Sequence, residues 1–124
     1  MIKQMLYSEA LQHTIIASNN KNALVAMIKS FRHKGIKQFF ETGTTRGIQT
    51  THAPKLARQL AALDIGKSPT NMDQSGWRLH ALSGRNASGQ DVAGHYSVWV
   101  NGNWRLTFTF EGEDAVLVDY QDYH

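Results

Sequence analysis

HYSVWVNGNWRLTFTF, residues 95–110, decides the fold. In its second half Trp104, Leu106, Phe108 and Phe110 alternate with Arg105, Thr107 and Thr109. Strand side chains point to opposite faces in turn, so one face is apolar and the other polar. Asn101-Gly102 interrupts the two apolar runs and fits the type I′ turn of a β-hairpin. Downstream, EGED (111–114) predicts a second turn, and AVLVDYQDY (115–123) a last strand. Upstream, WRLHAL (77–82) alternates Trp77, Leu79 and Ala81 with Arg78, His80 and Leu82, which predicts a further strand. The polar, glycine-containing RNASGQDVAG (85–94) between them reads as a loop.

Helical periodicity precedes these strands. THAPKLARQLAALDIG (51–66) places Ala53, Leu56, Leu60 and Leu63 on one stripe, with Lys55, Arg58 and Gln59 off it. Thr50 or Thr51 can cap it, Pro54 suits its first turn, and Gly66 stops it. In HKGIKQFFETG (33–43), Ile36, Phe39 and Phe40 share a face and Gly43 supplies the left-handed residue after the cap. MIKSF (27–31) alternates as a short strand, and residues 1–26 read as a short helix with a linker. The predicted fold is therefore α+β. Two helices pack on one face of a three- to four-stranded antiparallel sheet, and Arg105, Arg78 and His80 lie on the other face.

The sequence has no cysteine, which excludes a disulfide framework, a thiolate metal site and a cysteine nucleophile. No apolar run approaches the roughly 18 residues of a membrane span, and a cytoplasmic protein without membrane partners is expected. Charge is unevenly placed. Residues 27–62 carry Lys29, Arg32, Lys34, Lys37, Arg46, Lys55 and Arg58 against Glu41 alone, while residues 63–124 are net acidic. Such a basic segment suits a polyanion, because neutralised phosphates release counterions; a solvated helix face has the same composition.

The chain ends Asp122-Tyr123-His124. Histidine titrates near neutral pH and can move a proton, and an aspartate beside it can orient the ring. A guanidinium such as that of Arg105 matches phosphate oxygens, and the flat rings of Tyr120 and Tyr123 can stack on a base. Together these groups suit RNA cleavage in which the ribose 2′-hydroxyl is the nucleophile, one group removes its proton and another protonates the leaving 5′-oxygen. The six histidines show no ligand spacing, and no metal or cofactor is expected. Each piece also has a structural reading: a salt-bridged surface arginine, an idle terminal histidine, tyrosines that pack. The residues by themselves lead to a basic α+β domain suited to acting on nucleic acid.

From Met27 onward, MIKSFRHKGIKQFFETG, APKLARQLAALDIG, WRLHAL, YSVWVNGNWRLTFTF and DAVLVDYQDYH occur in an order that resembles the HigB toxins. These are the host-inhibition toxins of bacterial toxin–antitoxin pairs, within the RelE/ParE-like superfamily. The resemblance covers nearly all of residues 27–124 and implies a RelE/ParE-like fold with a twisted sheet. It further implies a ribosome-dependent messenger RNA endonuclease working at the small-subunit decoding site. A HigA-like helix-turn-helix antitoxin would neutralise it, and operator DNA would be met only through that antitoxin. On this resemblance Arg105, Asp122, Tyr123 and His124 are catalytic, with His124 in proton transfer. Arg78, His80, Arg85 and Tyr120 bind substrate, and Lys29, Arg32, Lys34, Lys37, Lys55 and Arg58 grip ribosomal RNA.

The sequence departs from the family pattern in three places. Ser83 stands near an expected loop lysine, in a loop a few residues longer than usual; either Arg85, two residues on, compensates, or the enzyme is weaker or differently selective. Asn101 stands where the hairpin tip often carries a base. Residues 1–26 precede the usual start, and an upstream start codon or a non-conforming extension is expected. Two alternatives remain open at this level: a ParE-like gyrase poison, and a catalytically inert partner of the antitoxin.

Overall fold

A computed structural model gives the structure over residues 27–123; residues 1–26, with the predicted N-terminal helix and extension, and His124 lie outside the described residues. Two helices, α1 (Lys34–Thr42) and α2 (Ala53–Ile65), precede four strands: β1 (His80–Ala81), β2 (Tyr96–Asn101), β3 (Trp104–Glu111) and β4 (Asp114–Asp122). The strands form one antiparallel sheet in sequence order. The α+β class and the central hairpin follow the sequence reading.

Three details of the sheet differ from expectation. The turn does not have the I′ pattern. Asn101 pairs with Trp104, so Gly102 and Asn103 are the loop residues, and of the two Gly102 has the positive φ, 55°. That is the type II′ arrangement, which needs glycine at the first central position. A bulge between Trp99 and Asn101 draws Asn101 into the ladder. The predicted 77–82 strand shrinks to His80 and Ala81, because Arg78 has φ 51° and breaks the extended run. Trp77 is buried all the same, and its carbonyl accepts the Trp99 N–H at 2.7 Å.

The third detail is a bulge in β4. On one side Thr109 pairs with Val116; on the other Thr107 pairs with Asp119, so the register advances by one residue. Leu117 sits in the bulge at φ 56°, an uncommon conformation for a branched side chain. A one-residue advance exchanges the two faces of a strand. Ala115 faces the core before the bulge, and Val118 and Tyr120 face it after. Residues 27–31 brace this point from the edge of the sheet. They form two isolated parallel bridges, Ile28 to Ala115 and Phe31 to Val118, where the sequence predicts a continuous strand. Ser30 Oγ accepts the Leu117 N–H at 2.8 Å, and the Ser30 carbonyl accepts the Val118 N–H at 3.1 Å.

α1 buries Ile36, Phe39 and Phe40, as its spacing predicts, and ends on Gly43 at φ 84°. His33 caps its start, Nδ1 accepting the Ile36 N–H at 3.0 Å. Gly35 lies against Gly47 so closely that a methyl group on Gly35 would come within 2.8 Å of Gly47 Cα. α2 is entered from a 3₁₀ turn, Thr50–His52, and neither threonine caps it by its side chain. Gln59 is fully buried, contrary to its expected place off the apolar stripe; its Nε2 donates to the Trp99 carbonyl at 2.9 Å. That carbonyl needs an outside donor because β1 is too short to pair with it. Near the end of α2, Asp64 Oδ1 accepts the Ile28 N–H at 2.7 Å, which ties the helix to the edge segment.

Both helices and the sheet contribute to one core, with Leu56, Leu60 and Leu63 beside Val98, Leu106 and Phe108. The opposite face is not left to solvent. Ser97, Thr107 and Asp119 share that face with Arg105, yet all three are buried. The segment from Leu82 to His95 folds over them, and Thr109 Oγ1 donates to the Gly94 carbonyl at 2.9 Å.

Ser30→Ala strands the Leu117 N–H in a partly buried place, which costs about 1–3 kcal/mol. Chemical denaturation should show that loss, and hydrogen exchange should show the Leu117 and Val118 amides deprotected ahead of those of β2. Unchanged protection at Leu117 would mean that the bulge holds without Ser30.

Candidate active site

Arg105 sits on β3 between Trp99 of β2 and Gln121 of β4, its direct cross-strand neighbours. Its Nη1 donates to the carbonyls of Gly102 (3.0 Å) and Trp104 (3.1 Å), which folds the guanidinium back on the hairpin turn. No carboxylate among the described residues forms an ion pair with it. The end of β4 comes to the same place. The Tyr123 N–H donates to the Asn103 carbonyl at 2.7 Å, one step past the Trp104–Asp122 pair. The Tyr123 ring centre lies 5.9 Å from Arg105 Cζ. Burial pushes the Tyr123 phenol up from its ordinary value, the Arg105 charge opposes this, and Asp119 adds to it. The phenol is therefore a proton donor at neutral pH rather than an anion.

Beside this meeting point lies an open cleft of about 550 Å³ between the 82–92 loop and the end of β4. Ser83, Arg85 and Asn86 line one side, Gln121, Asp122 and Tyr123 the other, with Leu82 and Val92 adding apolar surface. The loop wall is built by its own hydrogen bonds. Asn86 Oδ1 accepts the N–H groups of Ser88 and Gln90, each at 3.0 Å. Arg85 Nη1 donates to the Gly89 carbonyl at 2.7 Å, and Asn86 Nδ2 to Gln90 Oε1 at 2.8 Å. Arg85 thus stands at the cleft with Ser83.

The remaining candidates scatter. Asp122 is exposed at the cleft, and His80 is exposed on β1 opposite Ser97, on the Arg105 face. Tyr120 offers no face to a base: it is 3% exposed and stacked on Trp104 at 4.3 Å. Its hydroxyl is 2.6 Å from His52 Nδ1 and accepts the Gln49 N–H at 3.3 Å. Burial raises the Tyr120 phenol and lowers the His52 imidazole, so both are neutral in this internal pair. Lys29 is paired with Asp114 at 3.2 Å, and Arg32 donates to Gln90 Oε1 at 3.3 Å. Lys34, Lys37 and Arg58 are exposed, while Lys55 and Arg78 lean on the Trp99 ring.

Gln121 and Asp119 were not among the sequence candidates. Both share the Arg105 face, and counting back by twos from Tyr123 finds them. Asp119 accepts the Tyr120 N–H through Oδ1 and Gln121 Nε2 through Oδ2, at 2.9 and 2.7 Å.

Residues 29–124 match the family described as RelE-like toxin of type II toxin-antitoxin system HigB. Endoribonuclease HigB of Proteus vulgaris is 38% identical over 98 residues, spanning 79% of this chain and 100% of that relative.

Asn86→Ala removes the acceptor that closes the loop wall. The amides of Ser88 and Gln90 should exchange faster, with β3 and β4 protection unchanged and stability lowered by about 1 kcal/mol. Retained protection at both amides would show that the loop keeps its shape without this side chain.

Proposed function

The chain belongs to the HigB-like family of RelE-like toxins of type II toxin–antitoxin systems, and from that premise we propose that it is a ribosome-dependent messenger RNA endonuclease. Residues 27–124 form the toxin domain, with two helices on one face of a twisted sheet and the RNA on the other, and residues 1–26 come from an upstream start codon or are a short non-conforming extension. The observation that carries the reading is the meeting of Arg105 and Tyr123 beside an open cleft that Tyr123 and Asp122 line. A phosphodiester lying there meets a guanidinium that has no carboxylate partner among the described residues, and a protonated phenol.

In this mechanism Arg105 neutralises the charge that grows on the phosphate oxygens. Such preorganised contacts are worth most where they meet developing charge. The 2′-hydroxyl oxygen attacks phosphorus as its proton is taken up, and the 5′-oxygen leaves with a proton from a second group. His124 and Tyr123 carry these protons, with Asp122 orienting the imidazole. Arg85 holds the strand on the loop side of the cleft, and His80 approaches it from β1. Lys34, Lys37, Lys55 and Arg58 form a basic front for RNA at the decoding site. An antitoxin of the helix-turn-helix class neutralises the toxin in the cytoplasm and carries it to operator DNA.

Inducing the full chain and mapping 5′ ends of cellular messages tests the reading. In-frame cuts within translated regions are expected. Growth arrest with DNA damage and intact messages would point to a gyrase poison, and unimpaired growth to an inert partner; either outcome overturns the proposal. Arg105→Ala should lower cleavage by roughly 10²–10³-fold, with far-ultraviolet circular dichroism unchanged. His124→Gln should abolish toxicity while leaving the melting temperature in place, since a chain end contributes little to a core. A fully toxic His124→Gln variant would remove that residue from the mechanism.

A further inference from the structure

Trp99 is half-buried. It lies on the Arg105 face of β2, directly across the ladder from Arg105. Lys55 Nζ stands 4.0 Å from the centre of its ring, and Arg78 Cζ 4.3 Å. Arg58, one turn beyond Lys55 on α2, raises the local positive charge further. Burial, then Arg58, then Arg78 lower the Lys55 ammonium from its ordinary value, so Lys55 stands within reach of both guanidinium groups. None of the three forms an ion pair among the described residues.

Cations gathered without a carboxylate repel one another, and the indole face offsets that only in part. The backbone deepens the anomaly. Arg78 holds φ 51°, a strained conformation for a residue with a Cβ, and this places its guanidinium against Trp99. Glycine would take the same conformation without strain and would lack the charge. Two unfavourable arrangements, a crowded cation and a strained backbone, therefore coincide at one exposed point. A bound anion relieves the first and gives the second a purpose.

We propose that Lys55 and Arg78, held against the Trp99 indole, together with Arg58 beside Lys55 on α2, form a phosphate-binding subsite for the RNA strand whose scissile phosphate Arg105 contacts. The proposal rests on the endonuclease reading and extends it. It moves Lys55 and Arg58 from ribosomal RNA to the strand being cut, where Arg78 already stood. Adjacency decides between the two: neighbouring strands lie roughly 4.8 Å apart, so the subsite and Arg105 form one continuous positive track. A phosphate next to the scissile one falls on Lys55 and Arg78, and Arg58 meets the following stretch of backbone. Trp99 acts as the support that holds the two flexible cations in place.

The test is fluorescence anisotropy with a labelled 2′-O-methyl oligonucleotide, which lacks the nucleophile and is not consumed. Lys55→Gln combined with Arg78→Gln should weaken binding by roughly tenfold or more and flatten the salt dependence by about 0.7 per lost contact. Lys67→Gln, which removes an exposed charge outside the patch, should leave both unchanged. Arg78→Gly separates function from folding: the melting temperature should hold or rise while affinity falls. Wild-type affinity and salt slope in the double variant overturn the subsite. So does intact oligonucleotide binding with lost co-sedimentation on message-free ribosomes, which would give the patch to ribosomal RNA. The nuclease reading fails separately. A wild-type protein that cuts no message refutes the nuclease, whereas one that cuts messages beside a double variant of full affinity refutes the subsite alone.

Discussion

The register between β3 and β4 governs everything else at the site. Beyond the bulge, Gln121 lies opposite Arg105 and Tyr123 follows on the same face. Had the ladder continued from the Thr109–Val116 pairing without the extra residue, Tyr120 would stand opposite Arg105, and Gln121 and Tyr123 would turn toward the core. A single strained residue, Leu117, thus decides which tyrosine is inside. Its amide is held by Ser30, and Ser30 is held in turn by a segment that Asp64 ties to α2. The chemistry at one end of the sheet depends on a brace at its far edge.

The hairpin, the face of α1 and the stripe of α2 were legible because each follows from a local period. Phe39 and Phe40 are buried for the reason their spacing gives. The misses share a different cause. Tyr120 and Tyr123 look alike in the sequence, and only the bulge, a long-range event, separates them. Arg78 stands in an alternating run that predicts a strand, yet its positive φ ends the run before β1. Gln59 is polar by composition and buried because a short neighbouring strand leaves a carbonyl in need of a donor. The covered outer face depends on how the 82–95 loop folds back. Nothing in the polar composition of that loop indicates its direction.

Charge counted along the chain overstates what is free to act. Lys29 is matched by Asp114 and Arg32 is engaged with the loop through Gln90, so two of the cations in the basic segment serve the fold. The others differ in kind. Lys34 and Lys37 are exposed on α1, whereas Lys55 is partly desolvated and crowded by like charge. Desolvation strengthens whatever electrostatic contact a group makes, so a few crowded cations matter more than a larger number spread over a helix.

The carbonyl of Gly102 receives two donors from opposite arms of the hairpin, Trp99 Nε1 at 2.9 Å and Arg105 Nη1 at 3.0 Å. Both of its lone pairs are thereby used, and one peptide plane aims the indole and the guanidinium together. Drift in the sequence of this tip cannot adjust one without the other. On the proposed roles of Arg105 and Trp99, rate and grip should be inherited as a linked trait, and relatives with differently shaped tips should differ in both.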